Sequence, residues 1–398
     1  MQPVPLRLKK DQERRLLAGH CWVYSNEVDT AATPLKDLTP GQPVEVLSQR
    51  GRWLGHGYAN PHSLICARVV SRRRGQPLSS ALLVARIRAA LDLRERLYQQ
   101  PFYRLVHGEG DALPGLIVDR YEDLLAVQLT TAGMERERGE VIAALEQVLR
   151  PGRIVLRNDT AVREQEGLEQ GVEWALGDDP GEVELTEGSL RFAVSPGSGQ
   201  KTGWFYDQAE NRRVLQRFGP ARRVLDVCCW LGAWGLQAAA QGAEAVTFVD
   251  SSGTALEQVG RNAERNGLDA AIDALQGDAF DALRALRDDG AEFDLVVLDP
   301  PAFIKRRKDE KEGTRAYQRL NQLGLQVLAP GGLLVTSSCS FHMGRDAFLH
   351  TVQRAARRTE RDLQLLYTGA QGPDHPIHPA IAETGYLKTL FLRALPLA

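Results

Sequence analysis

The sequence predicts an α/β protein with a C-terminal doubly wound sheet over residues 189–398. A central α+β domain over 74–188 and a β-rich module over 1–73 precede it. Three observations lead there. Past residue 190, strand-like runs ("RRVLDVCC", "AVTFVD", "IDALQGD", "FDLVVLDPP", "GGLLVTSSCS") alternate with helical segments, the pattern of a mostly parallel sheet. From Ser79 to Gln100, Leu83, Ile87, Leu91 and Tyr98 recur at near-helical spacing, marking an amphipathic helix. Ahead of it, short β-like runs ("PVEVL", "SLICARVV") are broken by Gly and Pro and close on Arg72-Arg73-Arg74-Gly75.

The remaining elements follow in order. "LPGLIVDRYEDLLAVQLTT" reads as two strands around a Tyr-Glu-Asp turn, then a helix over about 135–149 and the strand "RIVLRND". In the last domain, helical segments separate the first three strands and precede the fifth. "LQLLYTG" and "YLKTLFLRAL" supply two further strands. A length of 398 residues exceeds one typical core and agrees with several domains.

With 43% hydrophobic and 25% charged residues, the chain has the composition of an ordinary globular protein rather than a disordered one. No apolar run approaches the ~18 residues that span a bilayer, and no apolar segment follows the basic start, so no membrane anchor or secretory signal is expected. Five cysteines without metal-ligand spacing fit reduced thiols in a cytoplasmic setting, with no metal site. Residues 1–75 hold twelve Lys/Arg against six Asp/Glu, whereas the remainder holds 37 against 45. A basic front end on an acidic body suits contact with a polyanion, although solvated surface charge reads the same way.

In doubly wound sheets, ligands bind beyond the carboxyl ends of the strands near the point where strand order reverses. Those ends are acidic here: Asp226 in the first strand, Asp250 closing the second, Asp278 the third and Asp299 the fourth. One such Asp is as often a helix cap, but four in succession suggest a site. The loop "CCWLGAWG" has Gly232 and Gly235 without a full G-x-G-x-x-G, and Trp230 would crowd a pyrophosphate. S-adenosylmethionine needs less: close approach at Gly232 and a ribose-binding carboxylate, for which Asp250, beside Ser251, is placed. Asp278 with Ala279 and Phe280 would meet the adenine.

Asp299-Pro300-Pro301-Ala302-Phe303 fixes a rigid exit from a buried strand, a mark of methyltransferases acting on planar nitrogen-containing groups. The next strand ends on Ser338-Cys339-Ser340. If those strands are neighbours, Asp299 and Cys339 face one pocket. A thiolate adding to carbon 6 of a pyrimidine activates carbon 5 for methylation, and Asp299 would stabilise charge on the base. The bland alternative is a small buried cysteine.

"EGDALPGLIVDRY" (109–121), "GQKTGWFYDQAENR" (199–212), D-P-P-A-F (299–303), "SCS" (338–340) and "DHP" (374–376) occur in this order across two domains. With them the chain resembles the large-subunit ribosomal RNA (cytosine-5) methyltransferase I family over essentially its full length. The resemblance implies an N-terminal PUA RNA-binding domain and a C-terminal class I methyltransferase domain of Rossmann-like type. It implies S-adenosylmethionine as methyl donor, 23S ribosomal RNA as substrate and Cys339 as nucleophile. It also implies that Gln200, Lys201, Thr202, Phe205 and Asp207 cover the cofactor, with Gln208 and Arg212 as further candidates. Two departures stand out. The first-strand loop reads Cys228-Cys229-Trp230-Leu231-Gly232-Ala233 where relatives more often have F-S-Y-T-G-G, and Ala302 stands where Lys is frequent. "KRRKDEKEGTR" (305–315) is a candidate phosphate-gripping loop for a flipped-out base. Two rivals remain: RNA base N-methylation without a covalent step, and a non-catalytic ribosomal RNA-binding assembly factor. A homodimer is left open.

Overall fold

The strand–helix alternation past residue 190 builds a seven-stranded sheet in the computed structural model, which describes residues 2–199 and 202–397. Its strands are β1 (Arg223–Val227), β2 (Ala245–Asp250), β3 (Ile272–Gln276), β4 (Phe293–Leu298), β5 (Leu328–Ser338), β6 (Arg361–Gly369) and β7 (Lys388–Pro396). The order is β3-β2-β1-β4-β5-β7-β6. The first five are parallel, and β7 runs antiparallel to both β5 and β6. Strand order reverses between β1 and β4, so the crevice at their carboxyl ends is the expected ligand position.

Continuous apolar runs make this sheet, because its central strands are covered on both faces. In β4 every residue except Asp294 is buried. Leu225, Val227, Val296 and Leu298 pack with Tyr317, Leu320 and Phe348 from the flanking helices. Those helices are α1 (Ala233–Ala240), α2 (Gly253–Arg265), α3 (Ala279–Asp288), α4 (Glu310–Gln326) and α5 (Arg345–Arg357). Helix α3 was not expected from the sequence. Its start signal is Asp278, whose side chain accepts from the backbone N–H groups of Phe280 and Asp281. The supposed loop 305–315 is also partly helical, since α4 begins at Glu310.

The chain divides into two units, the second comprising Thr186–Ala193, Asp207–Gly372 and Gly385–Ala398. The first, Met1–Leu185 with Val194–Tyr206 and Pro373–Thr384, contains two five-stranded sheets. One orders Val4–Arg7, Gln42–Leu47, Trp53–Ala59, Ala67–Ser71 and Trp22–Val23, with only the first pair parallel. The other orders Val172–Leu176, Arg153–Arg157, Leu124–Leu129, Leu116–Tyr121 and Phe102–His107. The amphipathic helix forms as Ser80–Leu97, capped by Ser79, and buries Leu83 and Ile87. The helix expected near 135–149 comes as two pieces, Ala132–Arg136 and Arg138–Leu149.

Two of the motifs, E-G-D and D-H-P, have architectural work in this unit. Arg94, fully buried, pairs with both carboxylate oxygens of Asp111 (2.5 and 2.8 Å) and donates to the Asp374 carbonyl at 2.7 Å. Asp374 in turn accepts from the Arg104 N–H at 3.0 Å and contacts His375 Nδ1 at 2.8 Å. At Gly110 an added Cβ would collide with the Pro376 carbonyl, so E-G-D and D-H-P are fitted to each other.

Candidate active site

The β1–α1 loop owes its shape to its strand neighbours. Cys228 and Cys229 donate their N–H groups to the Val249 carbonyl at 2.8 and 3.2 Å, and Trp230 N–H donates to Asp250 Oδ2 at 3.0 Å. Cys228, Trp230 and Gly232 all adopt positive φ (61°, 51° and 80°). Such backbone at two non-glycine residues persists only where surrounding bonds over-determine it, a condition typical of ligand-binding turns. The glycines answer to packing. A Cβ at Gly232 would lie 3.1 Å from Val259, and one at Gly235 would enter the buried Phe248 ring, 2.6 Å from Cζ.

Asp226 is fully buried, with Oδ2 accepting the Gly235 N–H at 2.9 Å and Oδ1 without a partner. Burial pushes its carboxyl up to about 7; the Gly235 bond opposes this, and repulsion from Asp299 and Asp250 adds to it. Asp250 uses one oxygen for Trp230 and the other for the Ser252 N–H at 3.0 Å. A carboxylate has about four lone-pair positions, so it retains capacity for a diol. Ser251 is exposed and its carbonyl accepts from Gln276 at 3.3 Å. Asp278 is exposed and caps α3, of which Ala279 is the first residue. Phe280 packs on Phe303, with ring centroids 6.1 Å apart. An unpartnered buried carboxyl oxygen and a half-satisfied carboxylate at the switch point fit S-adenosylmethionine.

Asp299 lies just past β4 and Cys339 just past β5, at the same end of adjacent parallel strands. Cys339 is half-buried, with Sγ 4.0 Å from the Pro300 carbonyl. The flanking hydroxyls are structural pins. Ser340 Oγ accepts the Ile304 N–H at 3.0 Å and bonds the Tyr317 hydroxyl at 2.9 Å, tying the D-P-P-A-F exit to the end of β5. Asp299 accepts from Gln208 Nε2 (2.9 Å) and Trp234 Nε1 (3.1 Å). Burial nevertheless raises its carboxyl above the ordinary range. Gln208 is locked in turn: its amide also donates to Ser337 (3.1 Å), and its oxygen accepts from Asn211 (2.7 Å).

Asp207 accepts the Tyr386 hydroxyl at 2.7 Å, and Arg212 is buried in a bidentate pair with Glu187 at 2.5 and 2.6 Å. In the first unit, Thr202 is buried; its hydroxyl donates to Asp119 and its carbonyl accepts from Tyr121 at 3.0 Å. Phe205 is half-buried there. Gln200 and Lys201 lie outside the described residues. Sequence reasoning passed over Lys388, a buried residue whose Nζ donates to the Ser340 carbonyl at 2.6 Å. The available signal was a lone cation in the mostly apolar run "YLKTLFL".

Comparison with known proteins agrees with this geometry. The profile of the PUA-like domain matches residues 6–72, and that of the S-adenosylmethionine-dependent methyltransferase matches residues 103–393. A ribosomal RNA large subunit methyltransferase I from Tolumonas auensis is 38% identical over 98% of both chains. One of the same name from Erwinia tasmaniensis is 36% identical, over 98% of this chain and all of its own. The solved structure of SMU.776 complexed with SAH covers 98% of this chain and all of its own, at TM-score 0.84 and 22% identity. That similarity bears on the fold alone. With relatives this similar over nearly the whole chain, the protein belongs to the S-adenosylmethionine-dependent methyltransferases, in the ribosomal RNA large subunit methyltransferase I family.

Proposed function

We propose that this enzyme methylates carbon 5 of a cytosine in 23S ribosomal RNA through a covalent adduct with Cys339. The observation that carries the reading is the meeting of two segments. The Asp299-Pro300 exit and Cys339 leave neighbouring parallel strands at one end, with sulfur 4.0 Å from the Pro300 carbonyl. The ribosomal substrate rests on the names of the relatives and on the basic, PUA-like front end, taken as residues 1–73 ahead of domains 74–188 and 189–398.

In this mechanism the Cys339 thiolate forms a bond to carbon 6, and the carbon 5–carbon 6 electron pair moves to carbon 5. S-adenosylmethionine, when bound, supplies the electrophilic methyl group. Asp226, Asp250, Ser251, Gly232, Asp278, Ala279 and Asp207, all of the second unit, would hold it. Asp299 would stabilise the charge that develops on the ring through a hydrogen bond, without net proton transfer. Loss of the carbon 5 proton to a base then restores the double bond and expels the thiolate.

Nucleoside mass spectrometry of ribosomal RNA treated with the native chain or with Cys339→Ala tests this. The native chain is expected to form 5-methylcytosine and the variant none. An N-methylated base, or a variant that keeps most activity, would transfer the reading to amine methylation.

A further inference from the structure

Lys388 opens β7 and stands opposite Ser338 in the β5–β7 ladder, one residue before Cys339. It is 6% exposed. Its Nζ donates to the Ser340 carbonyl at 2.6 Å and the Tyr386 carbonyl at 2.7 Å, which clamps the ammonium beside the segment carrying the thiol. Tyr386 is held from behind by its hydroxyl bond to Asp207. Among the described residues both hydrogen-bond acceptors of Lys388 are neutral backbone carbonyls, and the charge of Cys339 favours the ammonium. Burial pulls the ammonium down to about 8 even though the Cys339 charge works against that fall. The other titratable group at Ser340, the Tyr317 hydroxyl, is pushed up by burial and by Cys339, so it stays neutral.

A buried ammonium without a counter-charge is strongly disfavoured, and an adjacent cation favours a thiolate. We propose that Lys388 is a positioning residue whose ammonium is the counter-charge that keeps the Cys339 sulfur ionised. This deepens the covalent reading above and rests on it for its catalytic meaning. The thiol proton passes to water, Lys388 retains all three of its own, and the two opposite charges remain side by side until sulfur attacks the base.

Alkylation of Cys339 by iodoacetamide in the full-length protein, followed by peptide mass spectrometry at pH 6.5 and 8.5, tests the pairing. The ratio of the two rates cancels accessibility. An unperturbed thiol with pKa about 8.5 gives a ratio of about 50, whereas the native chain is expected to give about 10 or less. Lys388→Met should restore the ratio toward 50, and Lys388→Arg should keep the native one. An unchanged ratio in folded Lys388→Met overturns the proposal even if methyl transfer is lost, because a purely structural defect would not move it. Should Lys388→Met fail to fold, a native ratio near 50 overturns it equally. Failure of the covalent reading shows separately, as methyl transfer by Cys339→Ala, and leaves the labelling ratio as a measure of Lys388.

Discussion

Asp226→Asn offers a measurement whose size follows chiefly from burial. The folded carboxyl titrates at about 7, whereas the unfolded chain has an ordinary aspartate near 3.9. Between those values the folded state keeps a proton that the unfolded state has released. The stability this contributes is complete below about pH 4 and is lost as pH rises through 7. The full loss is about 4 kcal/mol, at roughly 1.4 kcal/mol per pH unit, and about 3 kcal/mol of it falls between pH 5 and 8. Asparagine keeps the acceptor for the Gly235 N–H and never ionises. Its amide N–H, pointing where Oδ1 has no partner, adds a constant penalty of about 1–3 kcal/mol that does not vary with pH. The difference between the two chains should therefore move by about 3 kcal/mol in favour of Asn from pH 5 to pH 8. Urea-dependent hydrogen exchange of the 223–240 peptide gives the opening free energy of this unit. Parallel pH profiles for the two chains would refute the reasoning and mean that Asp226 is ionised in the fold.

Three further outcomes are expected. Gly235→Ala drives a methyl group into the Phe248 ring and should destabilise the second unit by about 1–3 kcal/mol in thermal unfolding. Asp111→Ala leaves the buried Arg94 guanidinium without its carboxylate; a loss of about 3–5 kcal/mol by urea unfolding is expected, and one under 1 kcal/mol would mean water reaches the site. Changing exposed Lys305, Arg306 and Arg307 together to Glu should weaken RNA binding and flatten its logarithmic salt dependence by about 2 to 3 in slope, measured by filter binding. Unchanged affinity would remove this segment from the RNA interface.

Local pattern carried much of this fold into the sequence. The apolar runs of β1, β2, β4 and β5 mark strands because a doubly covered sheet requires them, and the Ser80–Leu97 helix shows in its apolar spacing. The acidic strand ends and the Cys339 terminus could be read for the same reason, since a strand determines where its own end points. Helix α3 was obscured because its cap, Asp278, also suited a ligand contact, and a sequence does not say which bond a carboxylate makes.

The partnerships came only with tertiary structure. Arg94 meets Asp374 across 280 residues of sequence, Gln208 meets Asp299 across 91, and Lys388 meets Ser340 across 48. Periodicity and turn chemistry act over a few residues and survive in the linear order. Whether a buried amide fixes a carboxylate, or a lone lysine stands beside a thiol, depends on which strands become neighbours. The antiparallel return of β7 against β5 made that choice for Lys388, and the adjacency of β4 and β5 made it for Asp299 and Cys339.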